Sequence, residues 1–162
     1  AFANSGDNDR AIRGFARATE LAPGDSRLFV NLALAHIKGA RFADAAIAFR
    51  QAAELDPANP LLLRDWAWLL ATSPLADNPD NPPEALRLAT RACELAGEDR
   101  PELLDSLAAA QASNGDFSSA HETATRAVEI ATAKKFPSAR IAQLQERQSR
   151  YARGLAYRDP PP

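Results

Sequence analysis

Along residues 9–21 the apolar side chains Ala11, Phe15, Ala18 and Leu21 recur every three or four positions, with charged residues between them. That spacing draws one apolar stripe on an α-helix and predicts a helix over 9–21, with Asp7 or Asp9 placed to cap its start. Pro23-Gly24-Asp25 ends it, because proline has no amide hydrogen and clashes with the preceding helical turn. The stripe resumes with Phe29, Leu32, Ala33 and Ile37, which predicts a helix over 26–38 capped by Asp25 or Ser26 and closed at Gly39. A further helix over 42–55 stops at Asp56-Pro57. The turn joining the last two is so short that they must lie side by side and antiparallel.

The pattern has a longer period as well. Ala45, Phe49, Ala52, Leu55 and Pro57 each lie 34 positions after Ala11, Phe15, Ala18, Leu21 and Pro23. A fixed period of that size marks a supersecondary unit that buries its apolar face by stacking on its neighbours. A third hairpin follows, with Leu61 to Ala71 as its first helix and about Pro83 to Ala96 as its return, the latter with Ala85, Leu88, Ala89, Ala92 and Leu95 inward. Between them Thr72 to Pro82 holds Pro74, Pro79, Pro82, Asn78, Asp80 and Asn81, a composition that predicts an extended loop. From Ala45 to Ala85 is 40 positions, and the excess over the period falls in this loop. The fourth hairpin is 101–113 and 117–131, with Pro101 in a first turn and Gly115 in the connection. Ala85 to Ala120 is 35 positions, so the register returns. After Lys135-Phe136-Pro137, residues 138–153 read as a last helix with Ile141, Leu144 and Tyr151 inward, and Asp159 to Pro162 as a frayed proline tail.

These residues resemble the tetratricopeptide repeat family, whose first helix carries a large residue, a Leu-small pair and Tyr, and whose second carries Ala, an aromatic and a closing Pro. Phe29, Leu32, Ala33, His36, Ala45, Phe49 and Pro57 fill that pattern in the second unit. Leu63, Trp66, Ala67, Leu70, Ala85, Ala89 and Ala92 follow it in the third, and Leu104, Leu107, Ala108, Gln111, Gly115, Phe117, Ala120, Ala124 and Ala127 in the fourth. Ala33, Ala67 and Ala108 stand where the family has glycine and still permit close helix approach. The resemblance implies an all-α, right-handed superhelical solenoid of antiparallel helix hairpins with a C-terminal capping helix. It divides the chain into a partial repeat at 1–24, repeats at 25–59, 60–99 (with the loop insertion 72–82) and 100–132, a capping helix at 137–154 and a tail at 155–162. The strings Asp65-Trp66-Ala67-Trp68-Leu69-Leu70-Ala71-Thr72-Ser73-Pro74 and Leu104-Asp105-Ser106-Leu107-Ala108-Ala109-Ala110 look like the C-terminal repeat block of a larger bacterial protein of this family. Such blocks are in several cases attached to a multi-spanning membrane region, and a start at Ala1 within half a repeat reads as a piece of a longer protein.

Composition narrows the function without naming it. Hydrophobic residues make 46 % of the chain and charged residues 25 %, which argues against wholesale disorder. No apolar run approaches the 18 or so residues of a membrane span. The single cysteine, Cys93, has no internal disulfide partner and sits in an alanine-rich helix, where a buried thiol is expected. His36 and His121 lack ligand-spaced companions, His121-Glu122 has Thr125 where a zinc motif needs histidine, and no phosphate loop or nucleophile elbow is present. The reading is therefore of a chain with no catalytic residue, no metal and no cofactor.

Recognition by a surface remains. The first helix of each hairpin lines the concave side, where Arg27, Asn31, Leu34 and Lys38 face out from the second unit, Arg64, Asp65 and Trp68 from the third, and Glu102, Asp105 and Ala109 from the fourth. Arg27, Asn31, Leu34, Arg64, Asp65, Trp68 and Asp105 form the candidate groove for a protein or peptide. Val30 and Leu34 stand where the family's carboxylate-clamping members carry more polar residues. Trp68 is either an anchor for a partner, since Trp66 supplies the core, or packs beneath the 72–82 loop. The alternative function is structural packing against an upstream domain or another subunit, to which Ala11, Phe15 and Ala18 would offer an apolar flank. Lys134 to Arg158 holds seven basic residues and one acid, against 12 basic and 19 acidic in the preceding 133 residues. That basic helix offers weak contact with an anionic membrane surface, while Phe136, Tyr151 and Tyr157 are too sparse to stack nucleic-acid bases, so no specific nucleic-acid partner is expected.

Overall fold

A computed structural model describes residues 3–97 and 99–159. Eight α-helices run through them: α1 Ala3–Leu21, α2 Ser26–Lys38, α3 Phe42–Leu55, α4 Pro60–Thr72, α5 Asn81–Ala96, α6 Pro101–Ser113, α7 Phe117–Ala133 and α8 Ser138–Ala152. No strand occurs among the described residues. Helices α2 and α3, α4 and α5, and α6 and α7 pair as antiparallel hairpins that stack in order, with α1 against α2 and α8 against α7.

Polar side chains and prolines set the helix starts. Asp25 accepts a hydrogen bond from the Arg27 amide, Asn59 from the amides of Leu61 and Leu62, and Asp116 from that of Ser119, satisfying amides that have no intrahelical acceptor. Pro60 and Pro101 stand in first turns, where a missing amide hydrogen costs nothing. Four helix ends share one closure, in which an amide reaches back five residues: Arg41 to His36, Asp116 to Gln111, Phe136 to Ala131 and Leu155 to Arg150. The residue before each donor is left-handed, and it is glycine only at Gly115 and Gly154; Ala40 (φ 55°) and Lys135 (φ 56°) fill the other two.

Between the layers the core is built mainly of alanine. Ala33, Ala45, Ala52, Ala67, Ala71, Ala85, Ala108, Ala110, Ala120, Ala127 and Ala131 are wholly buried, which lets helix backbones approach closely, while Phe49, Leu88, Leu103, Leu104, Leu144 and Tyr151 fill the wider gaps. Trp66 and Cys93 lie in this core as expected. His36 is buried too, and burial holds its imidazole below the ordinary value, with the charge of Asp44 acting in the opposite direction.

Several expectations need correcting. Helix α1 begins at Ala3, so Asp7 and Asp9 sit inside it rather than capping it. Residues 72–82 are not an extended loop. Pro74–Asp77 wind into a short 3-10 turn capped by Ser73, and α5 starts at Asn81 because Pro82 and Pro83 suit a first helical turn. Asp159 is not frayed, since its amide donates to the Thr72 carbonyl at 3.0 Å. The rest of the expected tail, Pro160 to Pro162, lies outside the described residues.

Candidate functional site

Helical spacing places the seven candidate residues on α2, α4 and α6, the first helices of successive hairpins. On α2, Arg27, Asn31 and Leu34 are exposed. Arg27 folds back on its own cap residue, Nη2 lying 2.8 Å from Asp25 Oδ2. Asn31 makes no hydrogen bond among the described side chains.

On α4 and α6 the residues come together. Arg64, Asp65 and Trp68 line a cavity of about 330 Å³ with Glu102, Asp105, Ser106 and Arg140. Arg64 donates to Asp65 Oδ1 through Nε at 2.8 Å and Nη2 at 2.6 Å, and Ser106 Oγ ties the two helices by donating to the Arg64 carbonyl at 3.1 Å. Two guanidinium-bearing residues, Arg64 and Arg140, and three carboxylate-bearing ones, Asp65, Glu102 and Asp105, thus meet beside one indole.

Asp105 departs from the expectation of an open groove residue. It is 4 % exposed and is held from α8 by Arg147, itself 5 % exposed, through Nε to Oδ1 and Nη2 to Oδ2, both at 2.7 Å. Arg140 adds a bond to Oδ2 at 3.3 Å. Burial pushes the Asp105 carboxyl above its ordinary value, against the pull of the Arg147 hydrogen bonds and charge. This carboxylate shapes the site by fixing Arg147 and is closed to a ligand.

Trp68 has partners that neither sequence reading offered. Its ring faces Tyr157 at 5.7 Å between centroids and 44° between planes, and its indole Nε1 donates to Asp159 Oδ2 at 3.2 Å. The Arg147 guanidinium lies 5.3 Å from both ring centroids, a cation over two aromatic faces. Arg158 donates to the Ala71 carbonyl at 3.0 Å and approaches Asp77 at 3.7 Å. After the turn at Gly154, then, residues 155–159 run back to α4. A second cavity of about 240 Å³ continues past Asp159 between Ile37, Lys38, Phe42, Leu69, Thr72 and Ser73.

The basic C-terminal stretch is partly engaged within the molecule, while Lys134, Lys135, Arg153 and Arg158 stay exposed. Lys134 pairs with Asp99, Arg140 and Arg147 with Asp105, Arg150 bonds the Ala156 carbonyl, Arg153 the Ser149 carbonyl, and Arg158 the Ala71 carbonyl. Arg147, Arg140, Tyr157 and Asp159 are the site residues that sequence reasoning missed. A signal existed for one of them: Arg147 occupies the apolar stripe of α8 between Leu144 and Tyr151, where a charge needs a buried partner.

Among the described residues no three His, Cys, Asp or Glu side chains converge as metal ligands, and no helix is long and apolar enough to cross a membrane. A larger cavity, about 570 Å³, lies elsewhere, lined by Ala53, Pro57, Leu63, Trp66, Arg87 and Glu94 among others. Its buried Trp66 Nε1 has no hydrogen-bond acceptor.

A tetratricopeptide repeat family model matches residues 26–59, the hairpin of α2 and α3. No curated protein matches the chain. A crystal structure of MamA protein superposes with a TM-score of 0.66 at 17 % identity, covering 93 % of this chain and 82 % of that one. A second crystal structure of MamA gives 0.67 at 16 % identity over 93 % and 88 %, and a MamA MSR-1 C2 structure 0.63 at 19 % over 82 % and 72 %. With the stacked antiparallel hairpins described above, these likenesses show a tetratricopeptide-like helical-repeat fold, shared with MamA.

Proposed function

We propose that this chain is a non-catalytic scaffold that binds an extended protein or peptide segment along its concave face. Arg27, Asn31 and Leu34 contribute from α2, and Arg64, Asp65 and Trp68 from α4, with Asp105 acting through Arg147. The observation that carries the reading is the 330 Å³ cavity, in which guanidinium, carboxylate and indole groups from two hairpins face one another. Such a mixture suits the main-chain and side-chain groups of a peptide, and an aromatic side chain in a pocket supplies most of the affinity of such a contact. Selection of displayed random peptides on the intact chain tests this. Binders should lose at least about tenfold in affinity on the Arg64→Ala, Trp68→Ala double variant, a loss in the range of a central contact. Binders indifferent to both substitutions would place recognition elsewhere.

A second reading, an assembly module of a larger protein, is favoured by Leu21 and Ile47, which stand 71 % and 55 % exposed on α1 and α3. Exposed apolar side chains of this size promote association when they are contiguous. Sedimentation equilibrium decides between them: an assembly role requires self-association that Leu21→Ser with Ile47→Ser abolishes, and a monomer at all concentrations argues against it.

A further inference from the structure

We propose that residues 155–159 are a resident ligand of the groove, and that its α4–α6 half takes partner segments in which an aromatic residue is followed two positions later by a carboxylate. The proposal rests on the groove being a peptide site and adds which peptides it accepts and what they displace.

The segment is held as a bound peptide would be held. It has no helix or strand of its own, and α4 receives it through the Asp159 amide to the Thr72 carbonyl and the Trp68 indole to the Asp159 carboxylate. Tyr157 fills the corner made by the Trp68 ring and the Arg147 guanidinium, touching both. That corner does not depend on its occupant, because Arg147 is locked by two 2.7 Å bonds to buried Asp105. Arg158, between the two specifying positions, adds a hydrogen bond to the Ala71 carbonyl and an approach to Asp77. Release is local. Leu155, Arg158 and Asp159 are exposed, whereas α8 is held by the buried Leu144 and Tyr151 and by the Arg147–Asp105 pair. An incoming aromatic-x-acid segment would meet the same indole donor, the same carbonyl acceptor and the same cation. Its apparent affinity is lowered by the fraction of chains whose own segment is in place.

The test uses the full chain and a fluorescein-labelled, end-blocked peptide Gly-Leu-Ala-Tyr-Arg-Asp-Gly, followed by fluorescence anisotropy. The Tyr157→Ala, Asp159→Ala variant should bind it at least about tenfold tighter than the parent does. Replacing tyrosine by alanine or aspartate by asparagine in the peptide should cost that gain, as should adding Trp68→Ala to the protein. Equal binding by parent and variant, or no binding by a variant with the parent's helical circular dichroism, overturns the proposal. Should the double variant fail to fold, Asp159→Asn alone carries the test, with a tightening of about threefold expected and none contradicting it. Doubling of the parent's mass, abolished by the same tail substitutions, would mean that copies exchange their segments and would overturn the choice of a foreign one. If selected peptides need Arg64 and Trp68 yet ignore the tail variants, the resident ligand falls and the groove reading stands; if none needs them, both fall.

Discussion

On α2 the candidate groove residues Arg27, Asn31 and Leu34 face solvent, while on α4 and α6 Trp68 and Asp105 are engaged by residues 91 and 42 positions further along the chain. The two halves come from first helices of successive hairpins with the same helical spacing, so the spacing does not decide which is filled. What decides it is the run after α7: α8 lays Arg147 across α6, and the turn at Gly154 sends Tyr157 and Asp159 on to α4. The filled half also has two layers of different permanence. Asp105 and Arg147 form a buried pair, and the Trp68 contacts above them are partly open to water.

Breaking the lower layer should cost most. Asp105→Ala leaves the Arg147 guanidinium buried without its partner, and removal of one member of such a pair destabilises by about 3–5 kcal/mol. Urea denaturation should register that loss, and a change below about 1 kcal/mol would mean that the pair is solvated. The upper layer should cost less. Trp68→Ala removes a ring contact, a cation–π contact and a hydrogen bond, together about 1–3 kcal/mol, and should strip protection from the Asp159 amide in hydrogen exchange. Persistent protection there would show that Trp68 does not hold the segment.

Backbone geometry sharpens the same contrast at smaller scale. Gly154 has φ 69° with nothing within 4 Å of an added Cβ, so Gly154→Ala meets only left-handed strain, about 1 kcal/mol. It should loosen the returning segment. The mirror change on the open side, Ala40→Gly, relieves strain of the same kind at φ 55° and should be neutral to mildly stabilising once the freer unfolded chain is counted. Both are read from thermal melts, and destabilisation by Ala40→Gly would contradict the assignment. Smallest of all, Arg27→Ala in the open half removes an exposed pair with Asp25 and should leave the melting temperature unchanged.

The division between halves also marks how far the sequence could be read. Helices α2 and α3 have the predicted bounds because Asp25, Gly39, Pro57 and the apolar stripes all agree locally. Local reasoning erred where a residue type has two roles. Asp7 and Asp9 read as caps of a helix start, but inside α1 they cost only weak propensity. Pro82 read as the end of a loop and instead opens α5 together with Pro83. Trp68 and Asp105 were placed on the concave side by periodicity, which reports on neighbours three and four positions away and on stacked repeats. Their partners are far along the chain, and an extended segment such as 155–159 has no period to detect.

Occupancy of the groove is tested most directly by two-dimensional amide NMR of the intact chain during titration with the blocked aromatic-x-acid peptide. The two indole N–H signals report separately, since Trp66 lies in the core and Trp68 donates to Asp159. The Trp68 indole and the Asp159 amide should shift together and saturably while the Trp66 indole stays in place. A Trp68 indole and Asp159 amide that remain unmoved at saturating peptide would contradict this occupancy.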